Sequence, residues 1–415
     1  MQAVQVPTTQ GQPESGSIWG RNPLLEGLDD RALELVNAAE SLVPMLEARA
    51  DEVDRSGHVA PDTFKRLSDA GFIRLFVPKR YGGEEQSLQA QLAISATLGR
   101  GCGSTAWMTQ IVSGSSMMLS LFSEEAQKEA WGDNPSAGAC ASQSRASKVE
   151  RVDGGYEITG SWSYLSGVEH AGWAMLHFIA NRPAPVVLLA LVPVADGRLE
   201  QTWNVVGMRG TASNTLHRQD YFVPDHRILS IEEALSGKPA TPFRNDRLSK
   251  VTYGPAVEIG LLGSSLGVTQ AALDYVLSKA PKRSIQYSIY NAQTESPGFQ
   301  VQLAEAAVKF TTARLIAADS VREVDHAAAQ GYQIDYTNRT RIRAAIGLAS
   351  RLLRDAVHIL TQAHGTSTFA EVNPLQRMWR DVNVATSHGM TTEMFGYELY
   401  GKALVGSDVR LAPLV

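Results

Sequence analysis

Cysteine is almost missing from this 415-residue chain, which has only Cys102 and Cys140. Two thiols build neither a disulfide framework nor a CxxC centre, so a reducing, cytoplasmic setting is expected. Long apolar runs are absent too. The nearest, VVLLALVPV at 186–194, has the length of a strand, and no membrane span is expected. Nor is positive charge in excess: 38 Lys and Arg face 43 Asp and Glu, a net charge of −5. That balance excludes the broad basic face a nucleic-acid or membrane-surface binder needs. No basic residue precedes Arg21 and no apolar stretch lies there, so residues 1–25 read as a disordered leader rather than a secretory signal. The nine histidines show neither H-x-x-x-H nor H-E-x-x-H spacing, and no metal site is expected. No G-x-G-x-x-G follows a strand-like run and no G-x-x-x-x-G-K-[ST] occurs, which excludes the dinucleotide fingerprint and the P-loop.

What is present is an ordinary globular composition, 44% hydrophobic and 20% charged, in a chain long enough for more than one domain. Three textures follow one another. Residues 26–135 carry helical periodicity, with Leu33, Ala38, Leu42 and Leu46 on one stripe behind a cap at Asp29 or Asp30. A second helix is expected over 104–121, and SEEAQ starts another. Residues 136–230 turn to short alternating runs and turn pairs such as DGG at 153–155, which predict a small β domain. From 231 to 415 helical periodicity returns after a linker at 230–246. Val301, Ala304, Val308, Leu315, Ala318 and Val321 share one face, and RIRAAIGLASRLLRDAVHILTQA at 341–363 is a further long helix. One motif tempts towards a hydrolase: GSSLG at 263–267 fits G-x-S-x-G, with Ser265 as nucleophile. That elbow needs a strand before it, and here both flanks are helical.

Several segments, in order, resemble the acyl-CoA dehydrogenase superfamily: LFVPKRYGGEE at 75–85, GCGSTAWM at 101–108, CASQ at 140–143, GSWSYLSG at 160–167, GMRGTASN at 207–214, Arg283, FQVQLAEA at 299–306 and LQRMWRD at 375–381. The resemblance implies an N-terminal α-helical domain, a central small β-barrel domain and a C-terminal four-helix bundle. It also implies a flavin site. Ser142 and Ser166 would meet the N5/O4 edge of the ring, Tyr164 and Leu165 would offer a flat face, and Arg283 would reach the pyrophosphate of a neighbouring subunit in a homotetramer.

In the dehydrogenases a glutamate lies about nine residues beyond the Arg of the RD pair. Here RDVNVATSHGM puts His388 and Gly389 there, and Glu258 on an earlier helix lies about one position off the other place such a base occupies. The departure is similar to the two-component flavin-dependent monooxygenase branch, as are SGVEHAGW at 166–173 and STAWM at 104–108. What this implies is hydroxylation through a C4a-hydroperoxyflavin, with FAD (or FMN) arriving reduced from a separate flavin reductase and O2 as co-substrate. His388 would move a proton and Ser166 would protect the flavin edge, while His170 reads as a packing residue. Trp107, Met108, Ile111 and Ser115 would form an apolar pocket suited to an indole-like aromatic substrate. An amino-sugar N-oxygenase (nitrososynthase) and an acyl-CoA dehydrogenase or oxidase are the alternatives.

Overall fold

The computed structural model describes residues 19–182, 184–407 and 411–412. Most of the leader therefore lies outside the described residues. Its end does not hang free: Trp19 donates from Nε1 to Asp274 at 2.7 Å, and Leu24 is buried in the main core. The segment 19–25 is thus a packed strap, because an indole and a leucine have apolar surface to hide.

Five helices open the chain: α1 (Asp30–Ser56), α2 (Pro61–Asp69), α3 (Leu88–Gly101), α4 (Gly103–Leu119) and α5 (Glu124–Trp131). Asp29 caps α1 by accepting the Ala32 amide, and Ser123 caps α5 in the same way through Ala126. The buried stripe of α1 is Leu35, Val36, Ala39, Val43, Leu46, Ala50 and Val53, so Leu33 stands on the exposed side of the expected stripe.

The middle of the chain forms β1 (Ala139–Arg145), β2 (Lys148–Val152), β3 (Gly155–Leu165), β4 (Trp173–Arg182), β5 (Ala184–Pro193), β6 (Arg198–Glu200), β7 (Asn214–Pro224) and β8 (Ile228–Ser230). They pair as two four-stranded sheets, in the orders β1-β4-β5-β8 and β2-β3-β7-β6. Trp162, Leu165, Phe178, Leu188 and Leu216 fill the space between them. The apolar run 186–194 is β5, in the interior of its sheet.

The remainder is helical: α6 (Ile231–Leu235), α7 (Tyr253–Gly260), α8 (Gly263–Lys279), α9 (Pro297–Gln330), α10 (Tyr336–His364), α11 (Pro374–Ala385) and α12 (Glu393–Leu404). GSSLG opens α8 inside a helix pair, which rules out a nucleophile elbow there. Its small residues have a packing reason. A Cβ on Gly267 would stand 2.2 Å from the Ala96 carbonyl and 2.7 Å from Gly99 Cα, so α8 touches α3 backbone to backbone. The most apolar 18-residue window of the stretch Tyr253–Lys282 is 78% buried, and its hydrophobicity serves this core. On α9, Ala318 and Val321 face inward as the periodicity predicts, but Val301, Val308 and Leu315 stand 67%, 65% and 53% exposed.

Candidate functional site

A cavity of about 710 Å³ opens where the helical blocks meet the β domain. One wall comes from the sheets: Ala141, Ser142, Gln143 and Ser144 on β1, Ser163 and Tyr164 at the end of β3, and His177 on β4. The opposite walls come from α4, α7 and α10, and the segment His388–Met390 just past α11 closes one side. Met117, Met118, Met175, Leu189, Ile231 and Leu261 make most of the surface apolar.

The β wall is built to be flat and fixed. Ser142 Oγ donates to the Ser163 carbonyl at 2.6 Å and accepts the Ser144 amide at 3.2 Å, tying the two sheets together at the cavity. Tyr164 is held at φ +62° and is 71% exposed, with its ring edge-on to Trp203 at 5.8 Å between centroids. A non-glycine residue in the left-handed region, displaying a large aromatic ring, has the shape of a platform for a planar ligand. An isoalloxazine suits this wall on those grounds. Leu165 does not serve there. Adjacent strand residues point to opposite faces, so with Tyr164 outward Leu165 turns into the β core, where it is wholly buried.

Behind the wall runs a chain of hydroxyls. Ser166 Oγ accepts from Trp107 Nε1 at 3.2 Å and shares a hydrogen bond with Ser213 Oγ at 2.7 Å, which in turn meets Thr211 Oγ1 at 2.8 Å. Trp107 also places its ring 5.8 Å from that of His388. Trp107, Ser166 and His388 are thus brought together, although neither Trp107 nor Ser166 lines the cavity itself. Ile111 and Ser115, four and eight residues beyond Trp107 on α4, do line it. Met108 is rotated by one residue, about 100° on a helix, and packs inward against Gly167. Gly167 allows this, since a Cβ there would sit 2.5 Å from Val112.

The RD pair that precedes His388 is a structural anchor. Arg380 bridges to Asp54 and to the Val206 carbonyl, and buried Asp381 accepts the Met208 amide at 2.5 Å. Burial pushes the Asp381 carboxyl up to about 6. His388 follows seven residues after Asp381, just past the end of α11. Its surface is open to the cavity but protein surrounds it elsewhere, and this burial, aided by nearby Arg343, lowers its pKa below the usual histidine value. Nδ1 accepts the Met390 amide at 3.2 Å, so the neutral ring carries its proton on Nε2.

Two groups with no motif to mark them meet at the cavity, Glu258 on α7 and Arg343 on α10. Their side chains are 1% and 2% exposed, with Arg343 Nε 3.3 Å from Glu258 Oε1. Arg343 spends its other two nitrogens on the carbonyls of Gly389, at 2.7 Å, and Met390. Burial pushes the Glu258 carboxyl up to about 8, only partly opposed by Arg343. Weighed on sequence as a misplaced base, Glu258 stands in the cavity wall after all. His177, Tyr253 and Gln110 are further lining residues with no motif to announce them. Outside the cavity, Arg283 donates to the His364 carbonyl and Ser367 Oγ, and His170 stacks on Phe64 and bonds the Val59 carbonyl. A surface trio of Glu125, Glu129 and His226 is already partly neutralised by Arg227, which bonds Glu129 at 2.5 Å.

Residues 35–137 match the model of the acyl-CoA dehydrogenase N-terminal domain, and residues 259–393 match that of the acyl-CoA dehydrogenase C-terminal domain. Among solved structures, XiaF from Streptomyces sp. in complex with FADH2 and glycerol superposes with a TM-score of 0.86 at 34% identity, covering 92% of this chain and 97% of that one. The flavin-dependent monooxygenase oxygenase subunit HsaA of Rhodococcus jostii (strain RHA1) is 29% identical over 89% of this chain and 98% of its own length. The FADH2-dependent resorcinol hydroxylase oxygenase component of Rhizobium sp. (strain MTP-10005) is 28% identical over 91% of this chain and 95% of its own.

Proposed function

Because the chain belongs to the acyl-CoA dehydrogenase family, and within it to the two-component flavin-dependent monooxygenases, we propose that it is an oxygenase component that hydroxylates an aromatic, indole-like substrate with reduced FAD. The observation that carries this reading is the single cavity faced by the Tyr164 platform, the Ser142–Ser163 wall and His388. Reduced flavin held there would supply the two electrons that activate O2, one oxygen atom entering the substrate and the other leaving as water. The chain supplies the rest. Tyr164 and the β1–β3 wall hold the ring, and Ser166, fixed by Trp107 and Ser213, backs that wall with an oriented hydroxyl. His388 offers its Nε2–H as a hydrogen-bond donor, burial holding its pKa below the usual histidine value. The methionine and leucine walls exclude water. The reduced flavin comes from a separate reductase, in keeping with the absence of a nicotinamide fingerprint in the sequence. The buried free thiols of Cys102 and Cys140 suit a reducing cytoplasm.

Assembly as a homotetramer is supported by the exposed Val301, Val308 and Leu315, spaced as one stripe on α9, and by the protruding Tyr287 and Ile289. Arg283, in the same region of chain as Tyr287, would reach the cofactor of a neighbouring copy. Arg283→Ala should then weaken flavin binding with little loss of folding, and fully active monomers would exclude the arrangement.

Product analysis with reduced FAD, O2 and a panel of indoles, phenols, thiophenes and amino sugars tests the main reading. Oxygenated indole or phenol supports it; products from the amino sugars alone would replace it with N-oxygenation. One observation favours acyl-CoA dehydrogenation, namely a carboxyl, Glu258, in the cavity wall. Bleaching of bound oxidised flavin by an acyl-CoA would establish that reading instead.

A further inference from the structure

Glu258 is a carboxyl with two oxygens buried and no hydrogen-bond partner for either. Such a group is expensive to leave unsatisfied, and native structures rarely do so without a reason. Its only charged neighbour among the described residues does not solve the problem. Arg343 stands 3.3 Å away through Nε without donating to it, while both of its terminal nitrogens are committed to the Gly389 and Met390 carbonyls. The carboxyl lines the cavity, as does Gln110, whose oxygen accepts from Ser95 and whose amide nitrogen is likewise buried without a partner. The surrounding surface, from Ile111, Val257, Leu261 and Met390, is apolar. A ligand filling this end of the cavity must therefore be mostly hydrophobic, yet bring a hydrogen-bond donor to one spot.

We propose that Glu258 is the recognition group for the substrate, accepting a hydrogen bond from a ring N–H or a phenolic O–H. The assignment rests on the aromatic-hydroxylase reading above and narrows it to donor-bearing rings. The raised pKa of Glu258 agrees with a carboxyl short of donors until ligand arrives. Recognition of this kind discriminates well, because an analogue lacking the donor leaves the acceptor buried and empty.

The test measures binding of indole, N-methylindole, phenol and anisole to the FAD-loaded protein, in wild type, Glu258→Gln and Glu258→Ala. Wild type should prefer the donor-bearing member of at least one pair by about tenfold. Preference for indole over N-methylindole with none for phenol over anisole marks a nitrogen donor, and the converse marks a hydroxyl. Glu258→Gln, which keeps an acceptor oxygen, should retain part of the preference, and Glu258→Ala should lose it. If wild type binds all four compounds without discrimination the assignment is overturned, and this comparison needs no variant to fold. Undiminished discrimination in Glu258→Ala would trace it to sterics and also overturn it. If none of the four binds, the aromatic reading itself falls along with the assignment.

Discussion

Replacing Arg343 with methionine keeps the length and apolar bulk of the side chain while deleting a buried guanidinium. Two charge-assisted hydrogen bonds disappear, those to the Gly389 and Met390 carbonyls. Bonds to charged donors contribute about 1.5–3 kcal/mol each, so the gross loss is roughly 3–6 kcal/mol. Glu258 is also left without its ion-pair partner, but it escapes much of that penalty by keeping a proton, since its pKa already stands at about 8. A net destabilisation of about 4 kcal/mol follows. At roughly 2.1 cal/mol/K per residue, the unfolding entropy of 415 residues is about 0.9 kcal/mol/K, and Tm should drop by about 5 °C. The double variant Arg343→Met with Glu258→Leu removes the stranded carboxyl as well, but should recover only a small part of that drop, because the Gly389 and Met390 carbonyls stay without their donors. Product formation should behave differently. The His388 segment has lost its tether in both variants, so both should hydroxylate poorly and release more hydrogen peroxide per reduced flavin consumed. Calorimetry with parallel product and peroxide assays reads the two effects apart. An Arg343→Met protein with unchanged Tm and wild-type yield of product would refute the reasoning.

His388→Ala should lower product turnover by about 10²–10⁴ and raise peroxide release while flavin titrations remain as in wild type; an unchanged product yield would reduce His388 to packing. Stability should depend on pH through Glu258. Its folded pKa, about 8, lies above its ordinary 4.5, so the folded state holds the proton longer, and stability falls as pH rises from 4.5 towards 8. The fall should be on the order of 4 kcal/mol, should shrink in Glu258→Gln to the smaller fall that Asp381, raised to about 6, still contributes, and is measured as urea midpoints at pH 5 and pH 8. Tyr164→Ala should weaken flavin affinity about tenfold or more without lowering Tm, since the ring is largely exposed and held in an unfavourable φ; equilibrium titration checks it. Gly267→Leu should fail to accumulate as folded protein, because even a Cβ there meets the Ala96 carbonyl at 2.2 Å; a soluble, cooperatively melting variant would contradict the packing described.

The three-block order was legible because helix and strand periods differ and the chain changes from one to the other only twice. His388 was legible by counting from the RD pair, which α11 carries to the edge of the cavity. Ile111 and Ser115 could be read with Trp107 from helical spacing, whereas Met108 could not belong to the same face. Leu165 failed for a different reason: its side chain turns into the core between the two sheets, where it is wholly buried. Glu258 and Arg343 illustrate a different limit. Each lies on a helix where a charge usually means a solvated face, and nothing local tells a reader that two such faces meet beneath the surface. Only the packing of α7 against α10 makes them a pair. The α9 stripe misled in the opposite sense, since a seven-residue apolar spacing at Val301, Val308 and Leu315 reads as core wherever the partner surface is supplied.

Arg343 grips carbonyl oxygens, not side chains, of Gly389 and Met390. Every amino acid presents the same carbonyl, so the side chains at these two positions are free to change while the backbone that carries His388 stays where it is. Gly389 has open space where a Cβ would go and no left-handed backbone to forbid one, and Met390 lines the cavity. The segment can therefore be rewritten to admit a differently shaped ring without rebuilding His388, the proton donor proposed above. Positions 389 and 390 are where a change of substrate would cost this protein least.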